Sequence, residues 1–320
     1  MKKTTSLFVV LFFMVSLALV GCGASNTVKN QESTMKIGVV VKALNSDYWK
    51  TVEAGAKAAG EKYGVNVIVL GPNAETDVTG QISMIEDLVT KKVNALVVAP
   101  SQASSAIPVF NKAKENKIPV ILADTDADWG DKAAFVGTGN YNGGKIAGEY
   151  LAKKLGKNAK IVILRGALGD PTHDERANGC IEALKAAGLE VVAIQPANSE
   201  RAMGVTVMEN IIQSKQSFDG VFATNDEMAL GAEQALKAIQ NKAPIVGFDG
   251  SMDAMSSIQG GELDASIAQS PYNIGFKGVE AAIEAAKGES IEKRIDTGTE
   301  VVNIDNIVQK LDELKKLLGK

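Results

Sequence analysis

Two aromatic residues and a lysine follow the first predicted strand, at a position where they could bind a small ligand. Ile37 to Val41 is a short run rich in β-branched residues, which indicates a strand buried on both faces of a parallel sheet. Lys42 comes directly after this run, and Tyr48 and Trp49 follow a short polar turn. Because ligands of open α/β sheets bind outside the carboxyl ends of the strands, these side chains are candidates for a binding site. An equally good interpretation places Tyr48 and Trp49 in the core, in the first turn of a helix.

An acidic loop follows the fourth predicted strand and could offer hydrogen-bond acceptors to a ligand. The segment from Asp124 to Asp131 reads DTDADWGD. Its four carboxylates could suggest a calcium site, but the spacing lacks the glycine and the terminal glutamate of an EF-hand loop. We therefore expect these carboxylates to accept hydrogen bonds from ligand hydroxyl groups.

Some features imitate nucleotide-binding or catalytic motifs without completing them. The segment Gly137–Gly144, GTGNYNGG, has Asn142 where a dinucleotide fingerprint needs its third glycine. Read as a phosphate loop, it continues into Lys145 but then has Ile146, which has no hydroxyl for magnesium. A crossing between domains explains this segment better. The chain has one histidine, His173, which argues against a histidine-based metal site and against a Ser-His-Asp triad.

The surrounding pattern alternates predicted strands with predicted helices in two successive sets. This alternation is typical of parallel sheets with helices on both sides, and two sets in series predict two similar lobes with a cleft between them. We expect strands at 37–41, 65–70, 95–99, 119–123 and 134–137 in the first set, and at 160–164, 190–194, 220–223, 245–248, 265–268 and 300–303 later.

The N-terminal residues are predicted to be a lipoprotein signal peptide, residues 1–21, followed by a flexible tether at 22–34. A basic start precedes an apolar stretch at 6–20, which is short for a membrane span of about 20 residues. The sequence LVGC, ending at Cys22, resembles the bacterial lipobox, so we expect lipid (palmitate among the acyl chains) on Cys22, enough for stable anchoring on the extracytoplasmic face of the membrane. The alternative is an ordinary secretory signal with a chance cysteine.

Composition narrows the possible partners and the redox chemistry. The chain has 34 Lys and Arg against 38 Asp and Glu. Removal of the signal peptide would remove two of the lysines and no acidic residue, and so make the net charge more negative. A mildly acidic chain argues against nucleic acid as a partner. With Cys22 lipidated, the other cysteine, Cys180, has no partner for a disulfide, and we expect it to be a small buried apolar residue.

Three segments closely resemble the ribose/allose group of periplasmic binding proteins, the sugar-binding subunits of ABC importers. They are VFATNDEMALGA at 221–232, VGFDG at 246–250 and SIAQSP at 266–271, and the similarity spans nearly all of 36–302. The resemblance implies the type I fold of that family: two Rossmann-like parallel-sheet lobes joined by a hinge of three crossings. It places 35–138 and 271–298 in the N-terminal lobe, and 139–270 and 299–320 in the C-terminal lobe.

The resemblance also implies a set of ligand-binding residues. Those that match the family pattern are Tyr48 and Trp49 as the aromatic pair, Asp124, Arg176, Asn225, Asp249 and Gln269. Three positions depart from it. Ser46 replaces the asparagine of ribose binders, Thr125 replaces an arginine or glutamate, and Ser199 replaces the aromatic of the second lobe. The last departure leaves open what covers the second face of the sugar ring, for which Trp129 is one candidate.

Lys42 completes this predicted set of ligand-binding residues. A lysine that ends an apolar strand must reach solvent or point into the cleft, and Asp124 and Asp126 would offset a buried ammonium there. Relatives of the allose type have a lysine at the matching place, whereas those of the ribose type have a small residue. The resemblance therefore favours a hexose as ligand.

The resemblance implies a non-enzymatic function: binding a monosaccharide and delivering it to an ABC permease and ATPase complex. No cofactor and no metal are expected, and the protein should be a monomer. An alternative with the same fold is a lipoprotein that presents a sugar, cyclitol, autoinducer or nucleoside to a signalling receptor. A repressor's sensor domain would need a helix-turn-helix segment instead of a lipobox. A sugar-processing enzyme could use Asp124 and Asp249, but the arginine, asparagine and glutamine around them favour ground-state binding.

Overall fold

Two six-stranded sheets, each covered by helices on both faces, make up residues 34–317, the part of the chain that the computed structural model describes. The first sheet has the strand order β11-β5-β4-β3-β1-β2, and all of its pairings are parallel. Its strands are β1 (Lys36–Val40), β2 (Asn66–Leu70), β3 (Ala95–Val98), β4 (Val120–Ala123), β5 (Ala134–Gly137) and β11 (Arg294–Asp296).

The second sheet repeats this arrangement with one antiparallel strand at its edge. Its order is β12-β10-β9-β8-β6-β7, and only the pairing of β10 with β12 is antiparallel. Its strands are β6 (Lys160–Arg165), β7 (Glu190–Pro196), β8 (Gly220–Ala223), β9 (Ile245–Asp249), β10 (Ala265–Ala268) and β12 (Glu300–Asn303). The predicted fold class, two parallel-sheet lobes of the type I periplasmic binding protein kind, is confirmed; the residue limits of the lobes stay a prediction.

Helices connect most successive strands and cover both faces of each sheet, whereas β4 leads to β5, and β11 to β12, without a helix. Near the first sheet lie α1 (Asp47–Tyr63), α2 (Val78–Thr90), α3 (Ala103–Glu115) and α9 (Pro271–Lys287). Near the second lie α4 (Asn140–Leu155), α5 (Pro171–Ala186), α6 (Arg201–Gln213), α7 (Asp226–Ala238), α8 (Met252–Gly260) and α10 (Ile307–Leu317). No helix in residues 34–317 combines the length and the hydropathy that a membrane crossing requires.

The core is divided by the sheets into separate apolar layers. Successive side chains of a strand point to opposite faces. Val39 therefore packs with α1 and α9 residues such as Trp49 and Ile274, whereas Val40 packs on the other face with residues such as Leu96. Burial on both faces explains why the central strands are nearly continuous apolar runs, the signal by which they are recognised in the sequence.

The chain passes between the two sheets three times: after β5, between β10 and α9, and between β11 and β12. The glycine-rich segment that follows β5 serves packing as well as crossing. A Cβ atom on Gly144 would lie 2.0 Å from the carbonyl oxygen of Arg176, so glycine lets α5 approach α4 closely. This contact holds the backbone of Arg176 in place, which matters for the site described below.

The sequence pattern does not predict strand β11, because this strand has three residues with Arg294 and Asp296 at its ends and so shows no apolar run. Cys180 is fully buried, as predicted, and burial raises the pKa of its thiol. The predicted signal peptide, the lipidated Cys22 and residues 22–33 of the predicted tether lie outside the described residues.

Candidate ligand-binding site

Side chains from both sheets converge where the carboxyl ends of the strands face each other. Lys42 and Asp124 follow β1 and β4 of the first sheet, and Asp249 and Gln269 end β9 and follow β10 of the second. Asp124 and Asp249 have φ angles of 61° and 119°, in a region of backbone conformation that residues other than glycine rarely adopt. Such strained residues cluster at functional sites, where surrounding contacts hold them.

Tyr48 and Trp49 form an aromatic corner in the first turn of α1. Their rings lie edge to face, with centroids 5.0 Å apart, and both side chains are mostly buried. The Tyr48 hydroxyl donates to Asp124 Oδ2 at 2.5 Å, and the Trp49 indole donates to Glu75 Oε1 at 2.7 Å. Both rings belong to the core beneath α1 and also line a cavity. The interpretation of Tyr48 and Trp49 as core residues and their interpretation as residues of a binding site therefore both hold in part.

Arg176, Asp249 and Gln269 form a hydrogen-bonded cluster on the second sheet. Arg176 donates from Nη1 to Asp249 Oδ1 at 3.3 Å, and from Nε to Asn140 Oδ1 at 2.9 Å. Its guanidinium also lies 3.9 Å from the centroid of the Phe248 ring. Gln269 donates to the same Asp249 oxygen at 2.7 Å, while its own Oε1 is buried without a hydrogen-bond partner among residues 34–317.

Burial changes the pKa of two side chains at this site, those of Asp249 and Tyr48. It raises the pKa of Asp249 well above its usual range, although Arg176 opposes that effect. It also raises the pKa of Tyr48, an effect that the neighbouring Asp124 carboxylate reinforces. Tyr48 therefore stays protonated at neutral pH and acts as a hydrogen-bond donor.

A cavity of about 270 Å³ lies between the aromatic corner and the second sheet. This volume is close to the lower end of the roughly 300–1,000 Å³ of small-molecule sites. Of the predicted ligand residues, those that line it are Ser46, Tyr48, Trp49, Ser199, Asn225 and Asp249. The others, namely Lys42, Asp124, Thr125, Arg176 and Gln269, are buried around it. A larger depression of about 880 Å³ contains none of the predicted ligand residues.

Lys42 points into the space between the lobes, and of its two predicted partners Asp124 is confirmed and Asp126 is not. Its ammonium forms an ion pair with Asp170, at the start of α5, and lies 3.6 Å from Asp124 Oδ1. The expectation that Asp126 would balance this charge is wrong, because Asp126 pairs with Lys132 at 2.6 Å. Burial alone would lower the pKa of Lys42, yet the surrounding carboxylates outweigh it and the pKa is raised.

Thr125 also takes part in a contact between the lobes. Its hydroxyl lies 2.7 Å from that of Thr172 in α5 and 3.0 Å from Asp124 Oδ1. Asn225 is held within its own lobe: its side-chain oxygen caps α7 by accepting from the Met228 backbone, and its amide donates to the Ser199 carbonyl at 3.2 Å. Whether these residues contact a ligand stays a prediction.

Among residues 34–317, the second lobe contributes no aromatic side chain to the lining of this cavity in place of Ser199. Trp129, the suggested candidate, packs against Phe110 in the core of the first lobe and donates to Asn111 Oδ1 at 2.8 Å. That suggestion is therefore wrong. Ser199 instead has a φ of 63°, and its hydroxyl lies 3.0 Å from His173 Nε2, so this wall of the cavity is polar.

Sequence reasoning missed three polar residues at this side of the site: Glu75, which lines the cavity, and Asp170 and His173, which lie close to Glu75. Glu75 lies in the loop after β2, and Asp170 caps α5 by accepting from the Thr172 backbone at 2.9 Å. His173 lies 2.7 Å from the Thr224 hydroxyl through Nδ1. Burial, with Arg176 and Lys42 nearby, lowers the pKa of His173 well below its usual range, so the ring is neutral. The aspartate-proline pair at 170–171 is a helix-start signal and could have directed attention to this loop.

The same three residues could in principle hold a metal ion, since one ligand atom of each lies within 4.8 Å of the others. Their present partners suggest a different role. Asp170 already pairs with the Lys42 ammonium, and both ring nitrogens of His173 lie within hydrogen-bond distance of hydroxyl groups. We therefore describe the three as a hydrogen-bonding wall.

Comparison with known proteins agrees with this geometry. The sequence model of the periplasmic binding protein domain matches residues 37–290. The ribose import binding protein of Haemophilus influenzae is 35% identical over 303 residues, which cover 95% of this chain and all of the relative. The D-allose-binding periplasmic protein of Escherichia coli is 28% identical, over 84% of this chain and 90% of its own.

Solved structures give the same result. A carbohydrate transporter solute-binding protein from Agrobacterium radiobacter, in complex with D-arabinose, is 34% identical with a TM-score of 0.83 and covers 88% of this chain and 99% of its own. An ABC transporter solute-binding protein from Bacillus halodurans, with bound myo-inositol, is 29% identical with a TM-score of 0.81, over 88% and 98%. By its fold, its site and these matches, the chain belongs to the periplasmic binding protein family, in the group similar to ribose- and allose-binding proteins.

Proposed function

We propose that the chain is the lipid-anchored, extracytoplasmic solute-binding protein of an ABC importer. It binds a monosaccharide in the cleft between its lobes and delivers it to the permease and ATPase complex. The observation that carries the proposal is the convergence of an aromatic corner on one lobe with a buried set of charged and amide groups on the other. Tyr48 and Trp49 provide the first part, and Arg176, Asp249 and Gln269 the second.

The chemistry of this arrangement matches a monosaccharide. Such a ligand has a ring of hydroxyl groups and a few apolar C–H faces, which aromatic rings cover well. Asp249 and the unpaired Gln269 Oε1 are buried acceptors, and hydroxyl groups can donate to them. A sugar with one hydroxyl inverted would leave such a buried group unpaired, which a hydrogen-bonding site penalises strongly.

The carboxylates of the site are held in ways that support binding over catalysis. Asp124 accepts from Tyr48, and one Asp249 oxygen accepts from both Gln269 and Arg176. General acid and base catalysis would require one of the two to exchange protons with a reacting group, whereas these contacts hold both in place.

The named ligands of the relatives point to the same chemical class. Their names and bound molecules include ribose, allose, arabinose and myo-inositol, which are all polyhydroxylated and of similar size. The preference for a hexose rests on Lys42, which follows β1 and faces the cleft. Its ammonium is engaged by Asp170 and Asp124, so any ligand atom that it contacts must share it with these carboxylates.

Thermal shift measurements against a panel of aldoses, ketoses, cyclitols and nucleosides test the binding function. A ligand that binds only the folded protein raises the melting temperature. We expect at least one monosaccharide to do so, and calorimetry should then give a single site. Asp249→Asn should abolish the shift, whereas the exposed control Asp305→Asn should keep it. A panel in which only nucleosides bind, or none of the compounds, contradicts the proposal.

Transport needs a separate experiment. Deleting the gene should abolish uptake of the radiolabelled sugar that shifts the melting temperature, and restoring the wild-type gene should recover it. The Asp249→Asn gene should fail to restore uptake. Unchanged uptake combined with loss of a sugar-dependent transcriptional response would instead support presentation of the ligand to a signalling receptor.

A further inference from the structure

Glu75 presents a buried carboxylate oxygen without a partner at the cavity between the lobes. Its Oε1 accepts from the Trp49 indole at 2.7 Å, which fixes the orientation of the carboxylate. Its Oε2 is buried and has no hydrogen-bond partner within residues 34–317, and the side chain lines the 270 Å³ cavity. A carboxylate oxygen accepts hydrogen bonds only, and leaving one buried and unpaired is costly.

Ser199 contributes to the same edge of the cavity from the other lobe. Its hydroxyl lies 3.0 Å from His173 Nε2, and His173 lies 2.7 Å from the Thr224 hydroxyl on its other side. This chain of contacts fixes the Ser199 side chain, which lines the same cavity as Glu75. The two residues thus form a polar pair, which we call the Glu75–Ser199 edge.

The charges near this edge favour a ligand group that donates a hydrogen bond. Three carboxylates, those of Glu75, Asp124 and Asp170, surround the single ammonium of Lys42. Burial raises the pKa of Glu75, and Asp170 adds to this effect, whereas Lys42 opposes it. A further acceptor would be repelled here, and a hydroxyl donor would stabilise the buried carboxylate.

A polar edge also selects the shape of the ligand. An aromatic ring at the Ser199 position would cover a flat C–H face of a sugar. A serine hydroxyl and a carboxylate against such a face would lose their contact with water without gaining a hydrogen bond, which costs free energy. The preferred ligand should therefore carry a hydroxyl or hydroxymethyl group that projects from that face of the ring.

We propose that the Glu75–Ser199 edge determines specificity by binding one projecting hydroxyl group of the carbohydrate. This inference rests on the proposed function, since it assigns a further role within the same site. Glu75 accepts the hydrogen bond through Oε2, and Ser199 supports the geometry on the opposite side. The aromatic corner and Asp249 hold the rest of the ligand.

The test combines variants of the edge with deoxy analogues of the ligand. The parent ligand is whichever of D-ribose, D-allose, D-arabinose and myo-inositol binds the wild-type protein most tightly in calorimetry, and the probes are its monodeoxy analogues. Glu75→Gln should weaken the parent ligand by ~10- to 150-fold, the range expected for a hydrogen bond to a charged group. One analogue, which lacks the projecting hydroxyl, should bind wild type and Glu75→Gln about equally.

Ser199→Ala and Glu61→Gln complete the design. Ser199→Ala should weaken the parent ligand in the same selective way but by a smaller factor, and the exposed Glu61→Gln should change nothing. Melting temperatures of the variants without ligand separate misfolding from lost recognition. If wild type binds neither the four parent compounds nor any other monosaccharide of the thermal shift panel, the proposed function fails. If it binds one, but Glu75→Gln weakens the parent and every analogue equally or leaves all unchanged, the Glu75–Ser199 edge is overturned and the binding function stands.

Discussion

The ammonium group of Lys42, just after β1 of the first sheet, forms an ion pair with Asp170, the capping residue of α5 beside the second sheet. Both side chains are almost fully buried, and the pair joins the two lobes beside the cavity. The hydroxyl contact between Thr125 and Thr172 lies on the same side of the site. These polar contacts can form only while the lobes are close together, so they link lobe closure to the chemistry of the site.

We therefore expect Lys42 and Asp170 to act on affinity through closure. Lys42→Ala leaves two carboxylates without a cation in the closed protein, which should weaken sugar binding by about 1.5–3 kcal/mol. Asp170→Asn should cost a similar amount, and the double variant should lose little more than either single one, because the two residues act as a pair. Small-angle scattering should show the radius of gyration of wild type falling on saturation with sugar.

Two results would contradict this expectation. Additive losses in the double variant would mean that Lys42 and Asp170 act independently. A radius of gyration that stays constant in wild type on saturation would mean that the site is rigid. Equal losses for hexose and pentose ligands in Lys42→Ala would support closure but remove the hexose preference that rests on this lysine.

The two tryptophans give a matched pair for testing the aromatic corner. Trp49→Ala should weaken sugar binding by at least about 2 kcal/mol, the scale for buried aromatic residues that dominate a binding site. Trp129→Ala should lower the melting temperature of the protein without ligand, because Trp129 lies in the core with Phe110 and does not line the 270 Å³ cavity. Calorimetry on both variants separates the effects. Unchanged affinity in Trp49→Ala would assign that residue to the core alone.

The fold was predictable because its signals are local. A strand buried on both faces leaves a continuous apolar run, as in Ile121 and Leu122 of β4, and a helix follows nearly all of these runs, although β4 leads directly to β5. The exception, β11, lies at a sheet edge and consists of Arg294, Ile295 and Asp296, so no run exists to recognise.

The site was only partly predictable, for a different physical reason. Position after a strand identifies Lys42 and Asp124, since every carboxyl end in a parallel sheet faces the same edge. The partner of Lys42, however, is Asp170, which lies 128 residues further along the chain in a loop with no periodic pattern. Glu75 and His173 are likewise single polar residues, and only the packing of the two lobes brings them close to each other.

Anchoring depends on Cys22, which lies outside the described residues. Changing Cys22 to serine removes the thiol that would carry the lipid, so we expect the variant to move from the membrane fraction to the soluble extracytoplasmic fraction. Its sugar affinity should equal that of wild type, because the binding site is formed by residues 34–317. A Cys22→Ser protein that stays in the membrane fraction after a carbonate wash would show that the lipobox interpretation is wrong.

Stability should depend on pH through Asp226, a fully buried carboxyl group in the first turn of α7. Burial raises its pKa to about 7, although the Ser251 backbone and the Ser266 hydroxyl donate to it, each at 2.7 Å. In the unfolded chain the pKa is about 3.9.

Between these two pKa values the folded protein binds more protons than the unfolded chain, so this group makes the free energy of unfolding fall as pH rises from about 4 to about 7. The fall can reach about 4 kcal/mol, since one pKa unit corresponds to about 1.4 kcal/mol. Asp226→Asn cannot titrate and should make the melting temperature fall less steeply with pH in this window, leaving the part that comes from Asp249, whose pKa burial also raises. The exposed Asp305→Asn should reproduce the wild-type curve. A wild-type curve that rises steadily from pH 4 to pH 7, and is unchanged in Asp226→Asn, would show that Asp226 is ionised throughout and held by its two donors.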